Sequence, residues 1–204
     1  VVLPIENGKV IKENYVGKNL LKYDSMLVLS HFKGHPMGGY GGAIKQLSIG
    51  VASSYGKAYI HGAGETEKIW SADHDAFLEA MADAAKAVDS TMGDNIVYIS
   101  VLNRLSVDCD CDGNPAEPDI HDIGILASTD PLALDQACVD LIYALPARSG
   151  AALRERIETR HGHRQLSYMQ EMGMGNRLYE LIDLDNDGKE ILPAEAVAGV
   201  PEKW

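Results

Sequence analysis

A chain of 204 residues with 46% hydrophobic side chains is long enough to bury one substantial core. Its 30 acidic against 18 basic side chains leave a formal charge of -12, which would repel phosphates and argues against nucleic acid as a partner. The longest apolar runs, residues 96–102 and 123–128, are strand-sized and far short of the roughly 20 residues that span a bilayer, so no membrane segment is expected.

In chain order, the opening "VVLPIENGKVIKENY" predicts two short strands around Asn7-Gly8, a dipeptide suited to a tight hairpin. It lacks the basic start, long apolar stretch and cleavage site of a secretory signal. The 3 cysteines make no extracellular disulfide framework, and a cytoplasmic location is the expectation. A buried strand over 26–30 then delivers His31 at its C-terminal end, where ligand sites of open α/β sheets lie. The glycine-rich stretch to Lys45 reads as a loop, because Gly34 and Pro36 disfavour a helix through His31 and His35.

From Asp73 a 3.6-residue apolar period through Phe77, Met81, Ala84 and Val88 predicts a helix that stops at Gly93. A strand over 95–102 follows, then a long polar loop, then a strand over 123–128. Thr129 or Asp130 as cap and Pro131 in the first turn predict a helix over 131–144. Two further helical patterns, around 149–159 and 164–172, lead to a last strand near Leu184. Strands alternating with helices indicate a layered α/β fold with a mixed or mostly parallel sheet. Residues 1–184 read as one domain and 185–204 as a small polar tail.

Three stretches concentrate chemistry. In "SHFKGHPMGGYGGAIK", His31 and His35 can ligate a metal, move a proton or bind a substrate, or simply satisfy carbonyls of a turn. Gly38, Gly39, Gly41 and Gly42 permit an anion-binding nest of backbone amides or a purely structural hinge, and Lys33 and Lys45 offer cations for a small anionic ligand. Lys45 and His35 are the candidates for catalytic work. The order GGYGG followed by Ala43 is neither a Walker loop nor a dinucleotide fingerprint.

In "DCDCDG", Cys109 and Cys111 would point to one side of an extended segment, with Asp108, Asp110 and Asp112 on the other. Two thiolates suit iron, zinc or nickel, with His31 or His35 completing the set. Redox thiols or ordinary loop cysteines are the alternatives. In "DLDNDGKEILPAE", Asp183, Asp185 and Asp187 reproduce half of a calcium loop, while Ala194 stands at the twelfth position and Glu195 comes one late.

Residues 29–50, 105–113, 122–141 and 173–182 together resemble the DUF362 family, some of whose members have an iron–sulfur centre. The resemblance implies an α/β fold, and a further α/β portion before the first residue here. It leaves the reaction open. With Cys109, Cys111 and Cys138 alone, a four-cysteine cluster cannot be built from one chain. A remoter similarity to lactate racemases, in which a lysine after a Gly-Gly pair tethers an organonickel cofactor, points to Lys45.

The expected function is therefore a metal-dependent or redox protein. Its site joins the His31–Lys45 stretch to the 108–112 loop and binds a transition metal and a small anion. A non-catalytic metal-delivery module and a structural domain with a weak calcium loop are the rivals.

Overall fold

Strands β1 (Val2–Pro4) and β2 (Glu13–Tyr15) pair antiparallel at the start of a computed structural model that describes residues 1–202. Asn7, at φ 59°, supplies the expected left-handed turn, yet the connection is wider than a tight hairpin, with Ile5 N–H bonded to the Lys12 carbonyl. The buried carboxylate of Asp83 holds that turn: it accepts from the backbone N–H of Val10 at 2.9 Å and Ile11 at 3.0 Å, and from the Tyr168 hydroxyl at 3.0 Å.

Strand β3 (Met26–His31) leads into β4 (Lys33–His35) and β5 (Gly39–Gly41), which pair antiparallel with His35 opposite Gly39. The stretch expected as a loop is thus largely a small hairpin, turned by Gly39 at φ 80°. Helix α1 (Ala43–Lys45) runs through a π-turn, Gln46–Gly50, toward α2 (Ser54–His61), whose first turn is capped by Ser53 accepting from Gly56 N–H.

The long helix α3 (His74–Met92) begins at the Asp73 cap and ends at Gly93, φ 55°, as its pattern predicts. Strands β6 (Ile96–Leu102) and β7 (Gly124–Ser128) are followed by α4 (Pro131–Ala144). Asp130 caps α4 by accepting from Leu132 and Ala133 N–H. Helices α5 (Ala151–Thr159) and α6 (His163–Glu171) come next.

The main sheet has the order β3-β6-β7, with β3 parallel and β7 antiparallel to β6, a mixed α/β arrangement. Helix α4 and the α1 segment pack on one face, and α3 with α6 lies behind them. Val28, Tyr98 and Leu102 point into this core. The opposite face is open: Leu27 (59% exposed), Leu29 (57%) and Ile125 (70%) stand on it. Strand β3, expected to be buried, therefore alternates. The period of two shows in burial though not in polarity, because apolar residues occupy both sides.

The expected last strand shrinks to β8 (Ile182–Asp183), paired with β9 (Lys189–Glu190). In the polar stretch beyond Leu184, α7 (Pro193–Ala196) docks on α4, and Val197 is buried. Lys203 and Trp204, the end of the expected tail, lie outside the described residues.

Candidate metal and thiol centre

Gly34 brings the two chemistry-bearing stretches together. Its N–H bonds to the Ser106 carbonyl at 2.9 Å, and a Cβ there would lie 2.0 Å from the Val107 carbonyl oxygen, so only glycine permits the approach. Arg156 of α5 fixes the far side of the 105–112 loop, donating to the Val107 carbonyl at 3.1 Å and the Asp108 carboxylate at 3.3 Å.

Cys109 and Cys111 lie in a turn closed by Asp112 N–H to the Cys109 carbonyl, rather than in the expected extended segment. The turn still places both sulfurs on one side, Sγ to Sγ 2.8 Å. With His35, the ligand atoms of Cys109 and Cys111 all lie within 4.8 Å of one another. Cys109 and His35 are buried and Cys111 is exposed. Lys45 places Nζ 3.8 Å from the Cys109 sulfur, and its stem lies along β5 where a side chain at Gly41 would crowd it.

His35 is held in one protonation state. Its Nδ1 accepts from Gly38 N–H at 2.9 Å and Met37 N–H at 3.3 Å, so the neutral ring carries its proton on Nε2. Burial, and then the nearby Lys45 charge, push its pKa down to about 3. Burial and the neighbouring Cys109 thiol push the Cys111 thiol above its ordinary range, which a bound cation would reverse.

Other expected site residues go elsewhere. His31 sets Nδ1 3.0 Å from the Asp110 carboxylate and Nε2 2.7 Å from the Asn103 carbonyl, so both ring nitrogens are already engaged and it stands outside the three-donor group. Lys33 is ion-paired with the same Asp110. Burial pushes the Asp110 carboxyl up, but the hydrogen bonds from Lys33 and His31 outweigh it and leave the pKa below the usual range. The two residues buttress the turn through Asp110, a role the alternating Asp-Cys run did not disclose. His31, Asn103, Arg104 and Asp110 also line a cleft of about 400 Å³ at the C-terminal ends of β3 and β6.

The amides at and after the glycine run are largely taken. Gly38 N–H serves His35, and Ala43 and Ile44 N–H bond to the buried Asp135 carboxylate at 2.7 and 3.0 Å. A Cβ at Gly42 would lie 2.4 Å from that carboxylate, and Gly39 packs against α5 at Ile157. The acceptor that occupies the amides at the start of α1 is therefore the protein's own Asp135 carboxyl.

At the calcium-like turn, Asp183 accepts from Asp185 N–H, Asp187 adopts φ 55°, and Glu195 accepts from Leu192 N–H. Among the described residues Asp183, Asp185 and Asp187 do not converge as His35, Cys109 and Cys111 do.

The fold and this centre define an α/β protein with a thiol and imidazole cluster between a glycine-rich hairpin and a Cys-x-Cys turn. The profile of DUF362, a domain of unknown function, matches residues 1–140, and the chain belongs to that family. Searches of curated proteins and of solved structures find no match. Among the described residues no helix is long and apolar enough to cross a membrane.

Proposed function

We propose that the chain is a metal-dependent or redox protein in which Cys109, Cys111 and His35 hold a transition metal, and Lys45 orients a small anionic ligand beside it. The observation that carries this reading is the convergence of three donors from two separate segments to within 4.8 Å. Two thiolates and one imidazole suit iron, zinc or nickel and leave a fourth tetrahedral position for the anion. Lys45 offsets part of the thiolate charge. A reducing, cytoplasmic compartment would keep such thiols free to bind.

Metal entry has a cost visible in the hydrogen bonds. If Nε2 of His35 ligates, the ring proton moves to Nδ1; if Nδ1 ligates, its lone pair is used. Either way the bonds from Gly38 and Met37 N–H are lost, so loading rearranges the 35–38 turn.

The test is elemental analysis of untagged protein purified without oxygen, beside a Cys109→Ser/Cys111→Ser variant. About one equivalent of metal in the wild type, absent from the variant, is expected from a single three-donor site. Failure of the wild type both to carry metal and to take up added zinc, iron or nickel would sink the reading. Turnover that depends on Lys45 would separate an enzyme from a delivery module.

A further inference from the structure

The two sulfurs of the Cys-x-Cys turn are closer than a shared metal requires. At 2.8 Å they stand about 0.8 Å from the length of a disulfide bond. The Asp112 N–H to Cys109 carbonyl bond already bends the backbone so that both side chains face each other, and Arg156 and Gly34 clamp the same loop from outside. Cys111 is exposed to a small reagent, whereas Cys109 is buried behind it with an ammonium group 3.8 Å from its sulfur. The third cysteine, Cys138, is buried on α4 within the core cluster.

We propose that Cys109 and Cys111 are a redox-active dithiol that exchanges with small-molecule disulfides, and that closing their bond releases the metal. The second half of this statement rests on the metal reading above; the first does not. The Cys111 thiolate attacks one sulfur of the small disulfide, forming a mixed disulfide and expelling one small thiolate. Cys109, as thiolate beside Lys45, then attacks the Cys111 sulfur and expels the second. Two protons leave the cysteines for the two expelled thiolates, so the protein dithiol loses two electrons and one disulfide becomes two thiols. The division of labour follows exposure: Cys111 meets the reagent and Cys109 resolves the intermediate. Closure removes two of the three metal donors at once. A bridge spanning a single residue is strained, which places its potential toward the readily reduced end.

The experiment equilibrates the reduced, metal-free full chain in buffers of graded reduced-to-oxidised glutathione ratio. Samples are quenched with acid, alkylated under denaturing conditions and weighed intact. The expected result is a two-electron transition in which alkylation falls from all 3 cysteines to Cys138 alone, with no glutathione retained. Cys109→Ser should instead accumulate a glutathione adduct on Cys111, because nothing resolves it. Persistence of three alkylated cysteines at every ratio, or a stable adduct on the wild type, would overturn the dithiol. Zinc added to each form reads the linkage: uptake by the reduced chain and none by the oxidised chain is expected, and equal uptake by both would overturn the coupling. A reduced chain that cycles as expected but takes up no metal would refute the metal reading and leave the dithiol standing.

Discussion

At His35 the two backbone amides on Nδ1 decide what the ring can do. They are compatible with a neutral ring that donates from Nε2, and incompatible with a ring that ligates through either nitrogen while keeping its partners. Zinc titration followed by amide resonances should therefore move the Gly38 and Met37 signals early and lower their protection against hydrogen exchange. Unmoved signals at full zinc occupancy would show that Cys109 and Cys111 bind without His35. Residue type alone singled out His35, Lys45, Cys109 and Cys111, since soft and basic donors are informative wherever they stand. It could not separate His31 from His35, because the difference lies in Asp110 and the Asn103 carbonyl, which reach His31 only after the chain has folded.

Two elements join the site to the scaffold, and each yields a measurable consequence. At β4, Gly34→Ala drives a methyl into the Val107 carbonyl, so the hairpin and the Cys-x-Cys loop must part. Overpacking of this kind costs about 1–3 kcal/mol or more, and the variant should lose metal affinity more steeply than an equally destabilising change in α3. Equal losses in the two would mean that the close approach does not position the donors.

At the start of α1, burial pushes the Asp135 carboxyl up to about 7 against the pull of the Ile44 and Ala43 amides. The folded chain then holds a proton that the unfolded chain has released between about pH 4 and pH 7, so this group's contribution to stability falls as pH rises through that window. Urea midpoints of wild type relative to Asp135→Asn should decline from about pH 4.5 to pH 7. A flat difference over that window would mean that the two amide bonds keep the carboxylate ionised.

Elements with caps and several turns, α3 and α4 above all, were legible to within a residue or so of their ends. The β4–β5 hairpin, α1 and α2 were not predicted. In the three-residue elements β4, β5 and α1 neither the 2.0 nor the 3.6 period can repeat, and tertiary packing decides, while α2 buries only Gly56 and Ile60 and so shows no apolar period.

Across the whole molecule, the sheet is finished on one side only. Leu27, Leu29 and Val97 on the parallel pair β3 and β6, with Ile125 on the antiparallel β7, form an uncharged exposed face, although parallel pairing ordinarily has both faces covered. A hydrophobic dye should fluoresce with the native protein well below its unfolding midpoint. Leu29→Lys should weaken that signal while leaving stability within about 0.5 kcal/mol, because the side chain already faces water. An undiminished signal would place the dye elsewhere. The alternation that exposes this face was hidden from sequence reading by its uniformly apolar composition.

The Asp83 clasp on the N-terminal turn sets an order of events in time. Its bonds to Val10 and Ile11 span 73 and 72 residues, and its bond to Tyr168 spans 85. Contacts of such separation reward the chain only after the intervening loops have closed, so they belong to the late, slow part of folding. A fluorophore attached near the first turn should report its final environment after helical signal has recovered. Asp83→Asn should chiefly hasten the turn's release rather than delay helix formation, making the N-terminus the first segment to leave when the protein unfolds.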